Sequence, residues 1–494
     1  MRKTNKNEFL KGTGLADYFD EYIDALENPF SGDAAVLPIL KKIGRKFAYS
    51  LENFIGNKIY IKKQASPLDH VLPKFRGVIA RLAKEGIITN CYNPRPIPDW
   101  PDIPALRITC GGLNPSGCSL NYEEAAKKTI AECFERYSLT LYDNKKFIYG
   151  SWAELKSKGA LNPMLFSGFS ESQLQKENYA KHRLDGNSKF MWTEAKSIFD
   201  NKKYLVPAQL IYLGYKNEKK EPVIRQTTTS GAAAGSSYDM ALYNALCEAV
   251  ERDSFVIHWL NKIAPPKINL DNVADESVKR LVSEYKKFNI DFTVLDITTD
   301  LNVPAVLTVI RDNAPRRIKV YAAPRADLDI ENAIKSSLSE ALVAGFINES
   351  APEEIKIWSD KGQKNIENIK DRLIYWSDSK RTGEADFLYG DSFKTLSINK
   401  YQGADAKEKL PALKEILKNS GIDAYVADAT VPLAKEFGLT ILASLVPRLC
   451  PLYLNEHYKC LGVRRLYEAP VRMGIFKNPK KEEEMNPVPT QCFN

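Results

Sequence analysis

Two copies of one acidic pattern are the residues of this chain whose types and spacing could do chemistry. Glu132-Cys-Phe-Glu135-Arg136 lies within AAKKTIAECFERYSL, and Glu248-Ala-Val-Glu251-Arg252 lies within ALYNALCEAVERDSF. Both read E-x-x-E-R after an alanine-bearing run. Residues three apart on a helix share a face, so each copy projects two carboxylates side by side. Adjacent carboxylates repel and are costly to bury unless something positive sits between them. Two such pairs meeting in one site would form a cage for hard divalent cations, and Mg2+ with nucleotide phosphate is the usual occupant. Each following arginine could hold phosphate oxygens. A solvated surface helix can carry the same pattern. Here the flanks are small and apolar (Ala131, Cys133, Phe134; Leu246, Cys247, Ala249, Val250), which argues that both helices are buried. The second copy follows a glycine-bearing turn, Thr228-Thr-Ser-Gly231-Ala-Ala-Ala-Gly235-Ser-Ser237. Such a loop can bring backbone N–H groups close to an anion.

The elements that must position these residues read as an α+β chain with several sheets rather than one βα repeat. LADYFDEYIDAL and LPILKKIGRKFAYSL are amphipathic helices by period, within an N-terminal region expected to run from residue 1 to about 95 as an accessory or docking segment. Asn93 to Pro104 carries five prolines and is excluded from regular helix. ALRITCGG reads as a strand, and Tyr122 to Tyr142 as a long helix. Lys203 to Tyr215 and Phe292 to Val309 contain strand-like apolar runs. Ala241 to Leu260, Asn332 to Phe346 and Lys407 to Ser420 read as helices; Ala424 to Asp428 and Leu439 to Val446 read as strands. The reading gives a catalytic domain over 96–476 and a separate tail over 477–494. G-x-x-x-x-G-K-[ST] is absent, so a bound nucleotide would be held by another scheme.

Composition narrows the class. The chain has 494 residues with 27% charged and 44% hydrophobic residues, ordinary for a soluble globular protein. The net charge of +8 is scattered, without a basic stripe interleaved with aromatics, so nucleic-acid binding is not indicated. No apolar run reaches the length of a membrane span, and the N-terminus lacks the apolar segment of a signal peptide. The eight cysteines show no C-x-x-C spacing and read as reduced thiols of a cytoplasmic protein; the four histidines show no metal-ligand spacing.

The order E-x-x-E-R, then Ser230-Gly-Ala-Ala-Ala-Gly235, then E-x-x-E-R-D resembles the YcaO-domain family. In detail it resembles the azoline-forming cyclodehydratases of thiazole/oxazole-modified peptide biosynthesis, the streptolysin-type D proteins. The resemblance runs from about residue 75 to the C-terminus. It includes Phe75-Arg-Gly-Val-Ile, Leu205-Val-Pro-Ala-Gln209, Leu295-Asp-Ile-Thr-Thr-Asp300 with Val303-Pro304, and the segment ending Asp386-Phe-Leu. Val446-Pro-Arg-Leu-Cys-Pro451 and Leu461-Gly-Val-Arg-Arg465 complete it. The resemblance implies a YcaO fold and an ATP-dependent reaction on a peptide backbone amide. A Cys, Ser or Thr side chain attacks the preceding carbonyl, the oxyanion takes the γ-phosphoryl group, and phosphate leaves a thiazoline or oxazoline. Glu132, Glu135, Glu248 and Glu251 would then hold Mg2+. Lys128, Arg136, Ser230, Ser236, Arg252 and Glu340 would serve ATP. The tail, with Pro487, Pro489 and Asn494, would reach the reaction centre. Partners implied are a ribosomally made precursor peptide, an E1-like or leader-recognition protein, a flavin dehydrogenase and a second copy of the chain.

Five positions depart from the family pattern. Lys128 stands where Ser is usual, Met240 where an acid is usual, Ser336 where Arg is common, Val343 where Gln is common, and Ser230 where the turn has Asn. A Lys at 128 could restore the charge missing at 336. Two other outcomes stay open: a YcaO enzyme forming a thioamide or amidine, and an attenuated scaffold that docks the precursor.

Overall fold

A computed structural model of the chain describes residues 71–94, 100–111, 113–312, 318–346, 366–396 and 400–491. These belong to the compact unit His70–Asn494. The two N-terminal helices expected from LADYFDEYIDAL and LPILKKIGRKFAYSL lie outside the described residues.

Three sheets and a central helix make the architecture. The first sheet is β1 (Ile88–Tyr92), β2 (Ala105–Cys110) and β3 (Ser116–Cys118), all antiparallel. Helix α1 (Pro73–Lys84) precedes it. Because β1 pairs with β2, the described residues from 73 onward belong with the main unit. The proline-rich segment is pinned at its end: Trp100 is buried and its indole N–H donates to the Leu342 carbonyl at 3.0 Å.

Helix α2 (Tyr122–Thr140) follows β3 and carries the first acidic pair. Asn121 caps it by accepting the Glu123 N–H at 2.8 Å. Close packing of α2 on β3 requires glycine at 117, where a Cβ would come within 2.2 Å of the Ala125 carbonyl oxygen. The second sheet has the order β4 (Ile148–Ser151), β5 (Lys189–Ser197), β13 (Tyr425–Asp428), β14 (Thr440–Leu445), β7 (Ala232–Gly235), with β6 (Lys203–Pro207) also paired to β5. The run expected as strand over 203–215 stops at Pro207 and turns into a short 3-10 segment.

Helix α3 (Tyr238–Asn261) carries the second acidic pair. From Val250 to Asn261 every residue is buried, which identifies it as a core helix rather than an amphipathic surface helix. The third sheet runs β11 (Val320–Ala326), β10 (Ala305–Arg311), β9 (Asp291–Asp296), β8 (Lys267–Asn269), β12 (Phe393–Thr395), antiparallel except for the parallel β8–β12 pair. Helices α4 (Glu276–Lys287), α5 (Ile330–Ala341), α6 (Ile369–Ser377), α7 (Ala406–Asn419) and α8 (Arg465–Arg472) complete the main elements.

The C-terminal segment, expected as a separate tail, is built into the core as far as residue 491. The Asn486 N–H donates to the Leu260 carbonyl at 2.7 Å, and the Trp259 indole donates to the Val488 carbonyl at 3.1 Å. Gln491 lies against the free edge of β11. Its side-chain amide donates to the Val320 carbonyl at 2.5 Å and accepts the Ala322 N–H. An open sheet edge leaves such backbone groups unpaired. Pro324, two residues on, has no N–H to satisfy there, in keeping with its place on an edge strand. Replacing Gln491 with Ala strands two buried backbone groups. It is expected to cost about 1–3 kcal/mol of folding stability, read by denaturant unfolding; an unchanged midpoint would show that water takes over both groups.

Candidate active site

The two acidic pairs are held in the same way. Glu132 on α2 accepts the Ser116 N–H of β3 at 2.9 Å and pairs with Arg136, one turn on. Glu248 on α3 accepts the Gly231 N–H at 3.0 Å and pairs with Arg252 at 2.9 Å. Each first glutamate is thus fixed by an amide at or just before the preceding strand and by the arginine four residues later. Gly231 has φ of +85°, a conformation that favours glycine, and this turns its N–H toward the carboxylate.

The second glutamates differ. Glu135 faces Glu132 and Glu248, with the Ala234 N–H of β7 pointing at it. Burial first, then the charges of Glu248 and Glu132, push its carboxyl well above the ordinary carboxylate range; Arg136 only partly offsets this. Glu251 is 2% exposed and lies against Arg252 at 3.0 Å and Arg325 at 3.4 Å. Burial raises its pKa, and the two guanidinium groups oppose the rise. Arg325, on β11, also pairs with Glu340 on α5. Glu340 therefore joins the second pair through a shared arginine.

Arg325 was not legible as a site residue, and the cation that pairs with Glu340 comes from this strand rather than from position 336 or from Lys128. Lys128 is exposed, in the neighbourhood of Arg325, Lys335, Glu124 and Cys118. Burial, then Arg325, lowers its pKa. Beside it opens a cavity of about 610 Å³ lined by Tyr122, Glu124, Ser277, Arg280 and Lys335, among others. Lys128, Lys335 and Arg280 make no ion pair among the described residues, and the cavity is lined by the carboxylates Glu124 and Glu276 as well as by Arg280 and Lys335. The one available signal for Arg325 was a lone charge within the apolar run VYAAPRA, because a strand buried along its length keeps a charge only if something pairs with it.

The other expected residues are placed as follows. Ser230 lies in the turn before β7, its hydroxyl buried and without a hydrogen-bond partner. Ser236 and Met240 are exposed at the start of α3, the Ser236 hydroxyl 3.4 Å from the Met240 sulfur. Met240 brings no ligand oxygen. Val343 packs partly buried against the core. Pro487 is exposed and Pro489 buried; Asn494 lies outside the described residues. The described tail meets α3 at Trp259, eight residues beyond Glu251, or about 12 Å along the helix. It therefore backs the site as far as residue 491. Among the described residues no three Cys, His, Asp or Glu side chains converge as ligands of one metal ion. Mg2+ needs no such cage, since it is commonly held by one or two carboxylates together with water and substrate phosphate. Glu135, compressed between two acids, fits that demand.

A family model of the YcaO cyclodehydratases, described as ATP- and Mg2+-binding, matches residues 116–450. The chain belongs to the YcaO family. Solved YcaO-type structures share its fold. A heterocyclase in complex with substrate and cofactor is 21% identical, with a TM-score of 0.68 over 82% of this chain and 55% of that chain. This chain thus spans about half of that heterocyclase. YcaO from Methanopyrus kandleri bound with AMPPCP and Mg2+ is 15% identical, with a TM-score of 0.55 over 78% and 94% of the two chains. The E. coli microcin synthetase McbBCD complex with pro-MccB17 bound contains a chain 18% identical, with a TM-score of 0.51 over 73% and 88%. Segments far apart in the YcaO sequence pattern meet here in one buried knot. Asp253 accepts the Cys450 N–H at 2.9 Å and pairs with Arg465 at 2.8 Å, and Arg465 also reaches Asp300 at 2.6 Å. Among the described residues no helix is long and apolar enough to cross a membrane.

Glu135 gives the electrostatic reading a test. Its carboxyl binds a proton more tightly in the folded chain than at the ordinary value of 4.5. The folded state therefore loses stability as pH rises above that value. In metal-free and nucleotide-free protein, Glu135→Gln is expected to raise Tm at about pH 8 and to leave it nearly unchanged at about pH 4. A Tm at or below that of the unsubstituted protein at the higher pH would overturn the assignment.

Proposed function

We propose that the chain is an ATP- and Mg2+-dependent cyclodehydratase that converts Cys, Ser or Thr residues of a ribosomally made precursor peptide to thiazolines or oxazolines. The observation that carries this reading is the placement of the half-buried acids Glu132, Glu135 and Glu248 in one electrostatic cluster, with Glu251 and Glu340 joined by Arg325 beside unpaired lysines. Acids suit a metal ion and free cations suit the phosphates it accompanies. Phosphoryl transfer depends on positioning and charge neutralisation more than on covalent participation by the protein.

In this reading Glu135, with Glu132, Glu248 or Glu251, would hold Mg2+, which when bound neutralises phosphate charge. Arg136 and Arg252 hold their neighbouring carboxylates in orientation. Lys128 and Lys335 would receive phosphate oxygens at the mouth of the large cavity, and Arg325 keeps Glu251 and Glu340 in place. The peptide supplies its own nucleophile. Its side-chain S–H or O–H adds to the preceding amide carbonyl, the former carbonyl oxygen takes the terminal phosphoryl group of ATP, and loss of phosphate with a proton leaves the C=N bond of the azoline. A separate leader-binding protein, a flavin dehydrogenase acting on the azoline, and a second copy of the chain are the partners that complete the proposal.

The attenuated reading keeps one specific support: Met240 offers no oxygen where an acid is usual. The missing Arg at 336 supports it less, because Arg325 supplies a guanidinium to Glu340.

Incubation with ATP, Mg2+ and a Cys/Ser/Thr-rich precursor should remove one water mass per ring and release equivalent phosphate. A mass shift for sulfur in place of oxygen would instead indicate a thioamide. Glu135→Gln and Glu251→Gln are each expected to lower ATP consumption and peptide modification together, by about a hundredfold, with the chain still folded by circular dichroism. Normal ATP turnover in both variants would sink the metal-site assignment, and nucleotide binding without any turnover in the unsubstituted protein would favour the scaffold.

A further inference from the structure

We infer that the open edge of β4, with the aromatic face beside it, is a docking surface for an acidic peptide segment that adds to the sheet as an extended strand. β4 ends the second sheet. It pairs with β5 on one side, and among the described residues no strand lies on the other. Its sequence, Ile148-Tyr-Gly-Ser151, carries neither the charge nor the proline that commonly blocks an edge. The Ser151 N–H donates to Glu154 at 2.7 Å instead of entering the ladder. Alternate residues of an end strand turn their N–H and C=O groups the same way, so those of Tyr149 face outward too. The edge of β11 is different, because Gln491 closes it.

The side chains favour an occupant at the same place. Ile148 is 42% exposed, Tyr149 46% and Leu141 44%. Phe147 has extended backbone, so it shares a side with Tyr149. Its ring packs against Tyr142 and Tyr212, with centroids 5.8 and 5.6 Å away, and Tyr215 lies 5.6 Å from Tyr142. These four rings are only half-buried. A contiguous apolar surface left in water marks an interaction site.

The charge around the face selects the partner. Residues 141–149 and 212–220 build it, and they carry Lys145, Lys146, Lys216, Lys219 and Lys220 against the acids Asp143 and Glu218. None of the five lysines makes an ion pair among the described residues; Lys219 lies over the Tyr149 ring, 5.7 Å from its centroid. Asp143 is engaged as a cap, accepting the Lys145 N–H at 3.1 Å. Strand addition draws affinity from main-chain hydrogen bonds and specificity from alternate side chains. Here the specificity is for apolar groups against Phe147 and Tyr149, with carboxylates toward the lysines. The four residues of β4 span about 13 Å, so a segment of about eight residues covers the strand and the lysines beside it. The inference does not rest on the cyclodehydratase reading, because binding is measured without nucleotide, Mg2+ or turnover.

The experiment is fluorescence anisotropy of the full chain with a fluorescein-labelled peptide of about eight residues, glutamates with phenylalanine at alternate central positions. The peptide should bind saturably, and more weakly at high salt. Tyr149→Ser should weaken binding about tenfold, and so should Lys145→Glu combined with Lys146→Glu. These positions are exposed, so both variants should keep the circular dichroism of the unsubstituted chain. Lys418→Glu, on α7 outside the face, should leave the affinity unchanged. Strand geometry has its own readout. N-methylation of alternate peptide amides should abolish binding in one register and spare it in the other, since only one set faces β4. Equal effects of the two registers overturn strand addition. Absence of binding overturns the docking surface, as does an equal loss in Lys418→Glu. Two other occupants would also overturn it. If the unsubstituted chain is a dimer that Tyr149→Ser dissociates, the face joins two copies. If phosphatidylserine vesicles bind where the peptide does not, and the double lysine variant loses them, the face meets a membrane.

Discussion

The constraint on which this structure turns is the partial burial of like charges side by side. Glu132, Glu135 and Glu248 sit in one electrostatic cluster, where repulsion between carboxylates is much stronger than in water. A fold can hold such a cluster only by supplying donors that do not move. The chain uses one device twice: a strand–helix unit in which a backbone N–H at or just before the strand and an arginine one turn along the helix grip the first glutamate. Packing α2 and α3 on short strands of small residues, with Gly117 and Gly231 at the close approaches, brings amide and carboxylate within hydrogen-bond reach. Glu135 is left with the least compensation, which makes it the group where a cation would relieve most repulsion.

Helix α3 carries the rest of the arrangement. Along its buried length it meets Asp327 and Lys409 through Tyr243, the acidic pair through Arg252, the Arg465 knot through Asp253, and the C-terminal segment through Trp259. Buried polar networks of this kind fix position as well as adding stability, since a rotation that breaks one strands several groups at once. Helical spacing makes the assembly possible: positions 248, 251 and 252 face the site, while 253 turns to the opposite contacts.

The acidic pairs were legible because helix period converts sequence spacing directly into shared faces, and because small apolar flanks show burial. The helices at 122–140 and 238–261 and the strands at 105–110, 425–428 and 440–445 were legible for related reasons, namely strong periodicity between clear breakers. Arg325 was not. Its role depends on which strand lies beside which helix, and no local period encodes that. The contacts of the C-terminal segment were not legible either. A charged KKEEE spacer reads as solvated, and beyond it Asn486, Thr490 and Gln491 satisfy buried backbone and side-chain groups elsewhere, a property visible only once the partners are in place.

These missed residues form one chain of contacts. Gln491 completes the outer edge of β11 at Val320 and Ala322, and Arg325 lies three residues farther along the same strand. Arg325 in turn pairs with Glu251 and Glu340. An arginine at 336 would have sat on α5 one turn from Glu340, its position set by that helix alone. From β11 the same charge bridges two helices, and its strand is held at the edge by the C-terminal segment. The end of the chain can therefore influence the acidic site by fixing the strand that carries its counter-charge, without itself touching a reacting group. Relocating one guanidinium from helix to sheet keeps the local charge while changing which parts of the fold must be intact for that charge to be in place.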